Sequence, residues 1–119
     1  MRILNTLCGT LALVLLLSSG TARAQAFLSV YDDLPLPPGM AEMVESGLSF
    51  DTPGGRIVEG YARGSLKASA IIAFYAATLP QLGWTRLSAS QYQRDDETLK
   101  LETQAEGSEV VVHFVIAPE

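Results

Sequence analysis

Between Ser65 and Trp84, the residues Ile71, Phe74, Tyr75, Thr78, Leu79 and Leu82 recur at three- and four-residue steps. That spacing puts them on one stripe of an α-helix. The segments on either side alternate instead with period two. Arg56 to Gly64 sets Val58, Gly60 and Ala62 on one face and Ile57, Glu59, Tyr61 and Arg63 on the other. Thr98 to Ala105 presents Leu99, Leu101, Thr103 and Ala105 to one side, and the last strand presents Val110, Val112, Phe114 and Ile116. Such alternation predicts half-buried antiparallel strands.

Turn chemistry separates these elements. Leu48-Ser49-Phe50 reads as a short strand, followed by Asp51-Thr52-Pro53-Gly54-Gly55 as a turn. Ser65 or Ser69 is the expected helix N-cap, and Pro80 should bend or tighten the helix at Leu79. Gly83 suits a left-handed stop, after which Trp84 should close one end of the core. Trp84 to Ala89 and Gln91 to Asp95 read as strands, with turns at Asp95-Asp96-Glu97 and Glu106-Gly107-Ser108. The pattern predicts an α+β fold: an antiparallel sheet with one long helix on one face, in the order β-β-α-β-β-β-β. Gly60 and Ala62 are expected to lie under that helix, where small side chains allow close approach.

The N-terminal part follows neither period. Arg2, the apolar run Leu7 to Leu17 and the small residues Ala22 and Ala24 have the order of a secretory signal peptide cleaved after Ala24, with Ala24-Gln25-Ala26 offering a second site before Phe27. An uncleaved anchor is the competing reading, but the apolar run is shorter than the roughly 20 residues of a spanning helix. Residues 25–46 then read as an extended, proline-rich segment, with Leu34-Pro35-Leu36-Pro37-Pro38-Gly39 at its centre. Pro35 and Pro38 have a PxxP spacing, which a strap crossing the domain explains as well as a recognition motif. Met40, Met43 and Val44 allow one short helical turn. Residues 47–117 read as a single α+β domain.

Composition narrows the function classes. The 119 residues less the 24 of the leader leave 95, enough for one domain. Loss of Arg2 and Arg23 leaves six basic residues against thirteen acidic, a net charge of −7. An acidic chain without a basic cluster does not suit nucleic acid or an anionic membrane. Cys8 lies before the apolar run and is removed with the leader, so the processed chain has no thiol for a disulfide or a metal.

Phe74-Tyr75, Leu79-Pro80 and Leu82-Gly83-Trp84, preceded by Pro53-Gly54-Gly55-Arg56-Ile57-Val58-Glu59, resemble a class of small exported bacterial proteins of uncharacterised function. The resemblance covers Asp32 to Ile116. It implies a helix-grip-like arrangement, in which a curved antiparallel sheet holds one long helix, and it implies no activity and no site residues.

The residues themselves offer no catalytic constellation. His113 is the single histidine, and no Ser or Thr is tied to it by sequence as a nucleophile would be. Asp32-Asp33 and Asp95-Asp96-Glu97 lack the alternating oxygen positions of a calcium loop and read as solvated turns. Phe74, Tyr75 and Trp84 read as core rather than as a ligand box. The expectation is therefore a non-enzymatic protein with no metal or cofactor, monomeric or weakly oligomeric. It would be exported to the periplasm or beyond, and would act on another envelope protein. Its candidate contact face is the far side of the sheet, carrying Ile57, Tyr61, Arg63, Val111, His113 and Val115. Coverage of that face by the N-terminal segment is the alternative. A small-ligand binder or hydrolase with a pocket between helix and sheet is the second functional reading.

Overall fold

A computed structural model describes residues 26–119. The signal peptide read over residues 1–24, its cleavage site after Ala24 and Cys8 lie outside the described residues. Nine strands and one helix follow: β1 (Phe27–Leu28), β2 (Tyr31–Pro35), β3 (Met40–Glu42), β4 (Leu48–Thr52), β5 (Gly55–Gly64), α1 (Ala68–Thr78), β6 (Thr85–Ser88), β7 (Gln91–Arg94), β8 (Glu97–Glu106) and β9 (Glu109–Pro118). The α+β class and the antiparallel pairing agree with the alternation in the sequence. The main sheet runs β3-β5-β9-β8-β7-β6, and β4 also pairs with β5.

The helix is short, not long. It has eleven α-helical residues and continues as a four-residue 3-10 turn, Leu79–Leu82. Proline causes that change, because Pro80 has no donor for a regular α-helical bond and a 3-10 start does not require one. Gly83 then takes φ 91°, and the Trp84 amide donates to the Leu79 carbonyl at 3.1 Å. The other end differs from expectation. Neither Ser65 nor Ser69 caps the helix; Lys67, with extended backbone, is the N-cap and makes no side-chain capping bond. Its carbonyl accepts from the amides of Ala70 and Ile71, and Leu66, packed against the core, fixes the entry of the chain.

Ile71, Tyr75 and Leu79 form the fully buried line of the helix, with Phe74 and Leu82 beside it. They meet Leu99 and Leu101 of β8 and Val112, Phe114 and Ile116 of β9 in one cluster. Thr103 and Ala105 share the face of Leu99 and Leu101 but are exposed. The short helix leaves the distal end of β8 exposed, while Val112 of β9 remains buried.

Residues 26–46, read as an extended segment, also pair: β1 and β2 form a hairpin and β3 joins the main sheet beside β5. Leu28, Tyr31, Leu34, Leu36 and Met40 are buried in the same core as the helix. The face carrying Val58, Gly60 and Ala62 does point inward, but Leu28 rather than the helix occupies the space over Gly60. A methyl group there would come within 2.6 Å of Leu28 Cδ2. The N-terminal segment thus shares the helix side of the sheet.

Candidate functional site: the outer face of the sheet

The register between β5, β9 and β8 builds rows across the outer face. Tyr61 lies opposite His113, and His113 opposite Glu102. One row away are Glu59, Val115 and Lys100; on the other side are Arg63, Val111 and Gln104. Directly opposed side chains on one face of a sheet stand close enough to interact. Tyr61 and His113 do so as a parallel stack, with centroids 4.3 Å apart and planes inclined by 2°.

Carboxylates flank the imidazole at both edges. Glu59 Oε1 is 3.4 Å from His113 Nε2, and Glu102 Oε2 is 3.4 Å from Nδ1. Glu102 is shared with Lys100, whose Nζ is 3.2 Å from its other oxygen. Bonds from Lys100 and then from His113 hold the Glu102 carboxyl below the usual carboxylate range. Arg63 is tied at the far end of the face to Glu106 (3.1 Å) and Glu109 (3.4 Å).

Beside the stack is a concavity of about 420 Å³, lined by Tyr61, Glu102, Thr103, Gln104, Val111 and His113. Of the residues expected on the contact face, the concavity gathers Tyr61, Val111 and His113. Arg63 and Val115 are in the neighbouring rows, and Ile57 is near the start of β5, away from the concavity. Two further members were missed. Leu48 lies opposite Glu59 and Phe50 opposite Ile57, so both belong to this face, and they are 41% and 49% exposed. The sequence shows Leu48-Ser49-Phe50 as a strand, but assigning it a face requires the β4–β5 register.

The arrangement suits contact better than chemistry. The two carboxylates approach different nitrogens at opposite edges of the imidazole, so one ion could not reach all three groups. No cluster of three His, Cys, Asp or Glu side chains is placed to hold a metal among the described residues. On the helix side, side chains pack closely around Tyr75. Tyr75 meets Phe114 edge-on at 5.7 Å and Phe74 at 5.1 Å, and its hydroxyl donates to the Pro35 carbonyl. A ligand pocket between helix and sheet is therefore not the arrangement found around Tyr75.

A second polar cluster joins the N-terminal hairpin to the end of the helix. Arg94 lies over the Trp84 ring at 4.5 Å, donates to Tyr31 Oη and to the Leu82 carbonyl, and pairs with Asp33 at 2.6 Å. Tyr31 in turn donates to Glu97, which also meets Arg56. Asp33, read from sequence as a solvated turn acid, is thus a structural partner; its pairing with Arg94 was not visible in the local sequence. These contacts and the burial of Trp84 account for the cluster as a structural clamp.

No protein-family model matches the chain, and neither a curated protein nor a solved structure matches it.

Proposed function

We propose that this chain is an exported bacterial accessory protein, freed of its leader after Ala24, that docks another protein of the cell envelope on the outer face of its sheet. The observation that carries the reading is the placement of residues 26–36. Leu28, Tyr31, Leu34 and Leu36 are spent on the helix side, which leaves the Tyr61–His113 stack and its concavity facing outward. A half-apolar face with a charged margin has the composition of a protein contact surface. The partner should present basic and apolar side chains together. Glu59, Glu102, Glu106 and Glu109 outnumber Arg63 and Lys100 on this face, and the processed chain has a net charge of −7. The short helix, packed on the sheet beside the β1–β2 hairpin, is read as a variant of the helix-grip arrangement.

The test begins with co-purification from the native envelope and continues with the captured protein purified. Direct binding should weaken as salt is raised, since its charge complementarity is screened. It should be lost in Tyr61→Ala and Val111→Asp. Undiminished binding by both variants would remove this face from consideration.

A further inference from the structure

The edge strand β4 is the least protected boundary of the sheet. Its five residues pair with β5 in five consecutive registers without a bulge, and β5 is its one strand partner among the described residues. Natural sheets blunt exposed edges with lysine, proline, bulges or a covering element. Leu48-Ser49-Phe50-Asp51-Thr52 contains neither lysine nor proline. The opposite edge, β6, is only four residues long and has a register shift between Arg86 and Ser88. Three exposed large apolar residues, Val44, Leu48 and Phe50, lie on the β4 edge or just before it, compared with Leu87 on β6, and Asp51 is the one charged residue of β4.

The edge also has a defined stop. The Met43 amide donates to the Tyr61 carbonyl, and the next β-pair joins Leu48 to Glu59, so Val44–Gly47 protrudes as a 3-10 turn and its cap. A strand added to this edge can therefore run along β4 but is obstructed beyond Gly47.

We propose that the occupant of this edge is a second copy of the chain, paired antiparallel through β4 about a two-fold axis at Phe50. The sequence of the strand is self-complementary in that register. Phe50 faces the partner's Phe50, Ser49 faces the partner's Asp51, and Leu48 faces the partner's Thr52, each heterologous pair occurring twice. The hydroxyl of Ser49 can donate to the carboxylate opposite, and no like charges meet although the chain is acidic. A slip of one residue between the strands would set outer-face side chains against inner-face ones. An axis at Asp51 would oppose two aspartates, and an axis at Ser49 would drive the added strand into the Val44–Ser46 turn. The paired chains form one continuous sheet, with Phe50, Leu48 and Ile57 of both copies in an apolar band on its outer face. An isologous contact of this kind closes at two copies. Five residues per strand make a small interface, so the dimer should dissociate on dilution.

The test is sedimentation equilibrium on protein obtained by expressing the full chain, from low micromolar to millimolar concentration. The expected result is a concentration-dependent monomer–dimer equilibrium whose dissociation constant rises at least tenfold in Phe50→Lys, with an unchanged circular dichroism spectrum. Should Phe50→Lys fail to fold, cross-linking decides instead: in a Cys8→Ser background, Phe50→Cys should give a disulfide-linked dimer on mild oxidation and Thr85→Cys should not. A monomer throughout the range overturns the proposal. So does a dimer that folded Phe50→Lys leaves intact, or cross-linking at Thr85→Cys in place of Phe50→Cys. The edge proposal is independent of the envelope partner, since Tyr61→Ala should leave the dimer unchanged.

Discussion

Tyr75, in the middle of the helix, donates its hydroxyl hydrogen bond to the carbonyl of Pro35 in the N-terminal hairpin, 2.8 Å away. The bond joins the most regular part of the sequence to the least regular part. It is fully enclosed, and burial raises the Tyr75 hydroxyl's pKa well above its ordinary value. Proline contributes its carbonyl here although it has no amide to donate. The hairpin is held by the same side chain that anchors the helix to Phe114.

Tyr75→Phe keeps the ring and removes the donor, leaving the Pro35 carbonyl without this partner. The expected loss is about 1–3 kcal/mol, the cost of a buried polar group left unsatisfied. Urea denaturation of the two proteins measures it, and an unchanged midpoint would mean that water replaces the hydroxyl.

Gly60→Ala tests which element occupies the inner face of β5. The added methyl would meet the Leu28 side chain at 2.6 Å, too close without a shift of one or the other. Overpacking of this kind costs about 1–3 kcal/mol. The two residues share one space, so Leu28→Ala should reduce the penalty of Gly60→Ala, and a double-mutant cycle should show the coupling. Strictly additive losses would place Leu28 elsewhere.

What was legible in the sequence is what local periodicity encodes. The alternation of β5, β8 and β9 gave their faces correctly, and Leu79-Pro80 with Gly83 located the tightening and the stop of the helix. The candidate contact face was legible for the same reason: a period of two fixes Tyr61, Val111 and His113 opposite the core once the core face is known. The β1–β2 hairpin and β3 were not legible. Strands of two to five residues have too few positions to display a period, and β2 ends on Pro35. Their place is decided by long-range burial of Leu28 and Leu34. Helix length is overestimated from the sequence because the apolar stripe runs unbroken from Ile71 to Leu82, while the backbone is α-helical only to Thr78 and 3-10 over Leu79–Leu82. The clamp of Arg94 on Trp84 and Asp33 unites three distant segments, and no local pattern links them.

At that clamp, Trp84→Ala should cost about 3–5 kcal/mol, as truncation of a large buried aromatic does. The ring is 2% exposed and is covered on one side by Arg94. Gly83→Ala acts through the backbone: φ of 91° places an L-residue in the left-handed region, at about 1–2 kcal/mol. Thermal unfolding monitored by tryptophan fluorescence reports Gly83→Ala, and circular dichroism serves Trp84→Ala. A midpoint unmoved in Trp84→Ala would place the indole outside the core.

The outer face makes a prediction about acid. Glu102 is held below the usual carboxylate range first by Lys100 and then by His113. Its carboxyl therefore binds a proton less readily in the folded chain than in the unfolded one, and by linkage its ionised form favours the folded state. The sign fixes the window. The contribution is fully present above the ordinary glutamate range and is lost as pH falls through the lower, folded-state value. Lys100→Ala removes the larger cause, so the Glu102 side-chain carbon resonance should titrate at higher pH in that variant, closer to an ordinary glutamate. His113→Gln should move it in the same direction by less. The order of the two effects is the critical result: a larger shift in His113→Gln would make the imidazole, rather than the lysine, the principal holder of this carboxylate.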